Sequence, residues 1–345
     1  MSPDVSVVIV VHQNRAHIGR ALAGLGGHDG VPHEVIVVDN ASTDGAAEEV
    51  ATRHPDIRVV RLARNVGFGR AVNAGAGLAR ARWLLLLNPD AEPVGDLLGA
   101  LVRFARRNPE HRIYAGRTLG PDGADDGRSV FGLPTLRSYA CFATGLSTAF
   151  RRVPALNPEA LPGLDRSRPA VVPAASGCVL LVDRALFAEL GGFTPDYFMY
   201  SEDVDLCLRA AGRGARPVLV PAARVTHLGG GSSTGVGKRV MVLRGRVTYL
   251  RLHWTPRRAA AGRALLAAGV AVRALGARLT GRAGYWPAVW AQRRVWLAGW
   301  PPPDADEPAA SPGPPDAPPP PGQSGSSPAV GTGPGTDRSP NEATV

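Results

Sequence analysis

The sequence predicts an α/β protein with a mostly parallel sheet covered by helices on both faces, and three observations predict it. Within residues 1–118, short β-branched or leucine-rich runs alternate with segments of helical period. Those runs are apolar at successive positions, as in strands buried on both faces. Polar clusters stand where three of the runs end, which is where ligands bind in such sheets.

In chain order, Val5–Val11 is the first strand and a helix follows near Arg15–Leu25. Glu34–Val38 and Ile57–Leu62 are the next strands, with a helix near Thr43–His54 between them. A helix near Gly69–Ala81 leads to the strand Trp83–Leu87, and a further helix lies near Val94–Arg107. Residues 119–175 are rich in Gly, Pro and Arg and poorly periodic, after which Ser176-Gly177-Cys178 opens another strand. Pro217–Val220 is a short strand that turns at Pro221, ahead of His227. Beyond Arg239, apolar positions such as Val240, Leu243, Val247 and Leu250, then Leu266 and Val270, interleave with arginines, and Trp286, Trp290, Trp296 and Trp300 follow. From Pro301 the chain is Pro, Gly, Ser, Ala and acidic residues with little to bury, the composition of a disordered tail. The expected organisation is therefore a domain over 1–238 in two halves (1–118 and 119–238), a basic helical extension over 239–300 and a tail over 301–345.

Of the 345 residues 44% are hydrophobic and 20% charged, enough apolar material for a globular core. The unbroken apolar runs fall short of the roughly 18 residues of a membrane span, so an integral membrane protein is not expected. Asp4 precedes the first run without a basic flank, which does not read as a secretory signal, and the expected location is the cytoplasm. Cys141, Cys178 and Cys207 have no pairing or zinc-type spacing and are expected as buried thiols. The net charge of +10 is uneven: between Asp205 and Asp304 there is no acidic residue, while arginines recur throughout. Such a surface suits an anion, whether nucleic acid, lipid headgroup or diphosphate, and charge alone does not choose.

Motifs narrow the choice. Asp39-Asn40-Ala41-Ser42-Thr43-Asp44 follows the second strand. Ser42 or Thr43 suits a helix cap, while Asp39 suits a base N–H or ribose hydroxyl. Arg64-Asn65-Val66-Gly67-Phe68-Gly69 offers glycines at a helix start beside a cation, open to a phosphate or to a plain turn. It is not a GxGxxG fingerprint. Asn88-Pro89-Asp90 ends the Trp83–Leu87 strand with a hard oxygen ligand fit for Mg²⁺ or Mn²⁺ together with diphosphate oxygens, or is simply a turn. Further on, Glu202-Asp203-Val204-Asp205 opens a helix whose Val204, Leu206, Leu208 and Ala211 are expected inside. Crowded carboxylates raise one another's pKa and supply a candidate general base, although acids at a helix start also suit the helix dipole.

In this order VSVVIVVHQN, EVIVVDNASTDG, RNVGFGRAVNAG, LLLLNPDAEP and GGFTPDYFMYSEDVDLCLRAAGRG resemble family 2 inverting glycosyltransferases of the rhamnosyltransferase-like branch, over roughly residues 4–255. The resemblance implies a GT-A fold, a nucleotide-sugar donor (dTDP-L-rhamnose, with UDP-sugars such as UDP-galactofuranose as alternative) and a divalent cation, Mg²⁺ or Mn²⁺. It makes Asp39, Asn40, Ser42, Arg64, Asn65, Gly67 and Asn88 donor-binding, Asp90 and His227 metal ligands, and Asp203 the catalytic base. Ser176, Gly177 and Glu202 fall on the acceptor side, with residues 119–175 as its wall. Asn88 stands where the wider DxD pattern has its first acid, and Val11-His12-Gln13-Asn14 replaces the Thr-Tyr-Asn of many relatives. The implied acceptor is a glycan or polyprenyl-diphosphate-linked saccharide. Arginines interleaved with aromatic residues suit a peripheral contact with an anionic inner leaflet, or a helix pair packed on the domain with its arginines in water. A nucleic-acid-binding role is disfavoured because no such module is present and the acidic clusters stand at the strand ends. A sugar-phosphate nucleotidyltransferase is disfavoured by the absence of a Gly-rich basic loop after the first strand. A silent sugar-nucleotide-binding module remains a non-catalytic alternative, against which Asp90 and Asp203 both speak.

Overall fold

The computed structural model describes residues 2–26, 30–227, 235–281 and 284–302. Apart from Pro301 and Pro302, the expected tail lies outside the described residues. The first half runs β1 (Val5–Val11), α1 (Arg15–Leu25), β2 (His33–Asp39), α2 (Ala46–Arg53), β3 (Arg58–Arg61), α3 (Phe68–Ala76) and β4 (Trp83–Leu87). Next come β5 (Ala91–Val94), α4 (Leu97–Arg107), β6 (Ile113–Leu119), β7 (Val130–Phe131), α5 (Leu136–Ala143) and α6 (Leu146–Ala149). The second half continues with β8 (Ala170–Val171), β9 (Ala174–Ala175), β10 (Val179–Asp183), α7 (Arg184–Glu189), α8 (Glu202–Ala211) and β11 (Val218–His227). Four helices close the described chain: α9 (Gly235–His253), α10 (Pro256–Leu279), α11 (Trp286–Ala291) and α12 (Arg293–Ala298).

The main sheet has the order β3-β2-β1-β4-β10-β6-β11-β5, with β8 beside β11. Strands β3, β2, β1 and β4 are mutually parallel; β1 and β4 are buried throughout, as suits the interior of such a sheet, while β3 is its exposed edge. In β1, Val8 and Val10 enter one core while Val5, Val7, Ile9 and Val11 enter the other. In β4, Leu84 and Leu86 face the first core and Trp83, Leu85 and Leu87 the second. A third core lies under the C-terminal helices, around Tyr139, Tyr197, Trp254 and Trp296.

Several boundaries differ from the sequence reading. Strand β10 runs antiparallel between β4 and β6, so the sheet is mixed at its centre. The segment after Asp90 is a strand before it is a helix: β5 pairs with β11 at the sheet edge, where Pro93 is tolerated because edge strands need fewer amide donors. Helix α4 then starts at Leu97, where Asp96 caps it by accepting from the Gly99 N–H at 2.9 Å. The chain does not end its strand at Pro221; β11 runs on to His227, and a register shift between Val220 and Arg224 absorbs the proline. The buried positions of α8 are Glu202, Asp205, Leu206, Cys207 and Ala210; the expected Val204 and Leu208 are half-buried against the third core, and of the expected positions Ala211 is exposed. The 24-residue helix α10 contains an 18-residue window of mean hydropathy 1.3, only 28% of it buried. Length and apolarity sufficient to cross a membrane are thus present once arginines are spaced around a helix rather than read as breaks in a run. The three cysteines are buried and free.

Candidate functional site

The parallel strands deliver three loops to one end of the sheet. Asp39, the last residue of β2, is 5% exposed and its Oδ1 accepts the Ser42 N–H at 2.9 Å. Asn40 reaches the next loop: its side-chain amide donates to Asn65 Oδ1 at 2.9 Å and its oxygen accepts the Val66 N–H at 2.9 Å. Asn65 Oδ1 also accepts the Gly67 N–H at 3.0 Å. Asn40 and Asn65 are thus committed to tying the 39–44 loop to the 64–69 loop, while Asp39 supplies the carboxylate and Arg64 is exposed beside them.

Two expectations for these loops change. Ser42 and Thr43 do not cap α2; the helix starts at Ala46, whose N–H meets Asp44 Oδ1 at 3.2 Å, and Ser42 Oγ instead accepts the Gln13 N–H at 3.3 Å. Gly67, at φ +87°, owes its glycine to the chain itself, since a Cβ there would lie 2.2 Å from the Phe198 carbonyl oxygen. That oxygen accepts the Phe68 N–H at 2.9 Å, so the 197–200 loop rests on the start of α3.

Asp90 and His227 come together because β5 pairs antiparallel with β11, with His227 opposite Ala91. Asp90 is 7% exposed, and its Oδ2 lies 3.6 Å from His227 Nε2. The other ring nitrogen, Nδ1, lies 3.6 Å from Oδ2 of Asp126, a residue the sequence reading did not single out. Burial works against ionisation of Asp126, but the His227 imidazole, the Thr118 hydroxyl and the Arg128 N–H hold its carboxyl down at about 2. Asn88 donates its N–H to the Cys178 carbonyl at 2.9 Å, which locks the Asn88–Asp90 turn against the start of β10. Burial pushes the Cys178 thiol well up, and Asp90 and Asp126 nearby reinforce it.

The same start of β10 meets the acid pair of α8. Asp203 Oδ2 accepts the Gly177 N–H at 3.3 Å and Oδ1 accepts the Val204 N–H at 2.8 Å. Burial raises the Asp203 carboxyl although these N–H groups oppose it. Glu202 is raised well above the carboxylate range by burial and by its neighbours Asp203 and Asp205, and its Oε2 has no hydrogen-bond partner among the described residues. Asp205 behaves oppositely. Burial pushes it up, but His253, Arg209 and Thr194 outweigh that and lower it. Its oxygens meet His253 Nε2 at 2.6 Å, Arg209 Nε at 2.8 Å and Thr194 Oγ1 at 2.7 Å. Asp205 is a structural ion-pair centre, which leaves Glu202 and Asp203 as the titratable pair.

Residues 176–178 therefore join two of the predicted groups. Ser176 donates its N–H to Ser129 O at 2.8 Å and Gly177 holds Asp203, while Cys178 holds the Asn88–Asp90 turn. The Asp39–Asn65 cluster joins through Phe68, against whose ring a Cβ on Gly177 would press at 3.2 Å. No feature of residues 119–131 distinguished Asp126 from a turn acid; the only sequence signal was its place in a Gly/Asp-rich stretch, GPDGADDGR.

A divalent cation fits this arrangement as far as the protein atoms go. Two atoms that share one small cation at about 2.1 Å each stand no more than about 4.2 Å apart. Asp90 Oδ2 and His227 Nε2 meet that condition at 3.6 Å. Among the described residues no three His, Cys, Asp or Glu side chains converge as a metal cage. Two protein ligands with the rest from a diphosphate and water is the pattern expected of Mg²⁺-type sites.

The glycosyl transferase family 2 profile matches residues 6–150. The chain is 32% identical over 254 residues to the N-acetylglucosaminyl-diphospho-decaprenol L-rhamnosyltransferase of Mycobacterium tuberculosis, covering 66% of this chain and 76% of that one. It is 25% identical over 230 residues to the rhamnosyltransferase WbbL of Escherichia coli K12, covering 65% and 83% respectively. Among solved structures, the mannosyltransferase PcManGT of Pyrobaculum calidifontis, in complex with GDP-mannose and Mn²⁺, is similar at a TM-score of 0.52 with 19% identity, covering 86% of this chain and 87% of that one. The ordered strand-end loops, the mixed sheet and a relative of this identity and coverage lead to one conclusion: the chain belongs to glycosyltransferase family 2 and has the GT-A fold.

Proposed function

We propose that the protein is an inverting glycosyltransferase that moves L-rhamnose from dTDP-L-rhamnose to a hydroxyl of a polyprenyl-diphosphate-linked saccharide, in cell-wall or surface-polysaccharide synthesis. The observation that carries this reading is the gathering of Asp39, the Asp90–His227 pair and Asp203 around residues 176–178 at one end of the sheet. The rhamnosyl donor and lipid-linked acceptor are supported by the 32%-identical relative, an N-acetylglucosaminyl-diphospho-decaprenol L-rhamnosyltransferase.

In this reading Asp39 receives the base or ribose and the Arg64 guanidinium faces the diphosphate, while Asn40 and Asn65 fix the loop that carries it. Asp90 and His227 would hold Mg²⁺ or Mn²⁺, which when bound neutralises charge on the departing nucleoside diphosphate. Asp203 takes the proton of the acceptor hydroxyl as its oxygen bonds the anomeric carbon and the carbon–oxygen bond to the diphosphate breaks. Burial supports that role because a carboxylate with a raised pKa is a stronger base. Ser176, Gly177 and Glu202 line the acceptor side, where Glu202 stays protonated longer than its neighbour and spares Asp203 a second nearby charge.

The outward side of α10 supports a peripheral contact with the anionic inner face of the cell membrane. Val272, Leu275 and Leu279 are 56%, 58% and 78% exposed, an apolar stripe at helical spacing. Arg257, Arg258, Arg263 and Arg278 are exposed on the same helix, and the sequence from Gly235 to Trp300 contains no acid. Charge of one sign around an apolar stripe suits acidic headgroups over a second, equally basic copy of the chain.

The test is transfer to a synthetic N-acetylglucosaminyl-diphospho-lipid with dTDP-rhamnose and UDP-galactofuranose as competing donors, the product anomer read by NMR. Inverted rhamnoside is expected; galactofuranoside would move the donor to the runner-up, and no transfer from either would overturn the reading. Asp203→Asn should lower kcat by about 10²–10⁴-fold while dTDP still binds. Co-sedimentation with vesicles containing anionic lipid tests the membrane contact, which fails if nothing sediments at low salt.

A further inference from the structure

We infer that Asp126 is a positioning residue that holds the His227 ring with its proton on Nδ1, so that the Nε2 lone pair is presented on the Asp90 side to a divalent cation. This assignment rests on the metal reading above but concerns a residue that no motif of the family resemblance contains.

The geometry points to it in three ways. Among the described residues Asp126 Oδ2 and His227 Nδ1 are each buried without a hydrogen-bond partner, and they face one another at 3.6 Å. Two complementary orphaned atoms at that separation need an approach of well under an ångström to bond, and no other described group competes for either. Meanwhile the opposite nitrogen, Nε2, faces Asp90 Oδ2 at the same 3.6 Å. One imidazole therefore stands between two carboxylates, and a neutral ring can donate to one only by offering its lone pair towards the other.

The anchoring of Asp126 shows which carboxylate receives the proton. Its Oδ1 is already occupied by the Thr118 hydroxyl at 2.5 Å and the Arg128 N–H at 2.8 Å, so the carboxylate is fixed with Oδ2 aimed at the ring. Thr118 is itself held by Ser129, whose Oγ accepts the Thr118 N–H at 2.8 Å. It sits on β6 beside β11, the strand that carries His227. The preceding acid is engaged differently: Asp125 pairs with Arg117 at 2.6 Å and Arg166 at 3.6 Å, whereas Asp126 has no arginine partner in the described structure. An ionised carboxylate without a guanidinium, turned towards an imidazole, is the outer partner by which metal-binding histidines are oriented and made more basic.

The experiment is Mn²⁺ binding in the presence of dTDP, read from the loss of the free-ion EPR signal, for wild type, Asp126→Ala and Asp126→Asn. In parallel, nitrogen-15 shifts of His227 are read in the metal-free wild-type protein. Loss of the carboxylate in Asp126→Ala should weaken Mn²⁺ by about 10–100-fold. Asp126→Asn, whose amide oxygen still accepts from Nδ1–H, should recover most of that loss. The wild-type spectrum should show the proton on Nδ1. Unchanged Mn²⁺ affinity in Asp126→Ala, or a wild-type ring protonated on Nε2 alone, overturns the assignment and leaves the metal reading standing. Wild-type protein that binds dTDP but no Mn²⁺ overturns the metal reading, and the assignment with it. Should Asp126→Ala fail to fold, the wild-type tautomer and the Asn variant decide.

Discussion

The strand-end loops and the C-terminal helices satisfy their polar groups in opposite ways. At the strand ends, side-chain oxygens accept from the backbone: Asp39 from Ser42, Asn40 from Val66, Asn65 from Gly67, and Asp203 from Val204 and Gly177. In the helical layer, with no acid in its sequence, guanidiniums donate to backbone carbonyls and lie on aromatic faces. Arg244 reaches Gly299 O at 3.1 Å and covers the Trp300 ring at 3.9 Å, and Arg273 reaches Phe142 O at 2.7 Å and covers the Phe142 ring at 4.0 Å. One region thus keeps carboxylates in fixed positions, as the proposed metal and base roles require. The other, apart from Arg246 on Glu159, Arg251 on Asp196 and His253 on Asp205 where it meets the rest of the fold, keeps arginines exposed on α10 with no acid in the layer itself, which suits an anionic surface.

The sharpest way to break this contrast is at the seam, where His253 of α9 meets Asp205 of α8. Removing the carboxylate in Asp205→Ala leaves Arg209 and His253 without it and should cost about 3–5 kcal/mol in urea unfolding. Because Asp205 is lowered in the folded state, its contribution is present above the unfolded carboxylate value and is lost as pH falls through the folded one. The gap between wild type and variant should therefore close in acid. Gly67→Ala, which places a Cβ against Phe198 O at a left-handed backbone position, should cost about 1–3 kcal/mol by the same measurement. Within the helical layer, Arg244→Met should cost about 1–2 kcal/mol through the lost carbonyl bond and ring contact. An equal loss in Arg294→Met, whose side chain is exposed, would blur the distinction between committed and free arginines. Glu202→Gln gives a smaller, graded effect. A carboxyl raised in the folded state favours folding below its unfolded value and progressively disfavours it as pH rises through the folded one, so the variant should gain melting temperature over wild type with increasing pH. The smallest effect on stability, within about 0.5 kcal/mol, is expected of Leu275→Ser on the outer face of α10, which should nonetheless reduce vesicle binding.

How much of this was legible in the sequence differs between the two regions for a physical reason. Strands β1, β2 and β4 could be read because burial on both faces leaves an unbroken apolar signature, and the loops after them because parallel sheets put ligands there. Strand direction has no such signature, so the antiparallel insertion of β10 was invisible, and Pro93 disguised β5 as the approach to a helix. Asp90 and the Glu202–Asp205 carboxylates stood out by position and crowding, whereas the metal role of His227 and the choice of Asp203 within its cluster came through the family resemblance. Asp126 came through neither, because a carboxylate in a Gly/Asp-rich turn becomes informative only when β6 and β11 lie side by side. In α10 the arginines hid the apolar length that the helix displays once they are distributed around its axis.

The residue that finishes the candidate site is far from it in sequence. Trp300 donates its indole N–H to Met199 O at 3.0 Å and its backbone N–H to Thr248 Oγ1 at 2.8 Å, and it packs against Phe198 at 5.1 Å. Phe198 in turn is what Gly67 and Phe68 rest on. During synthesis at about 5–20 residues per second, the 64–69 loop therefore waits roughly 10–50 s before its last support is made. The strands of the parallel sheet are therefore complete in the nascent chain well before the contact that backs the 64–69 loop through Phe198 can form.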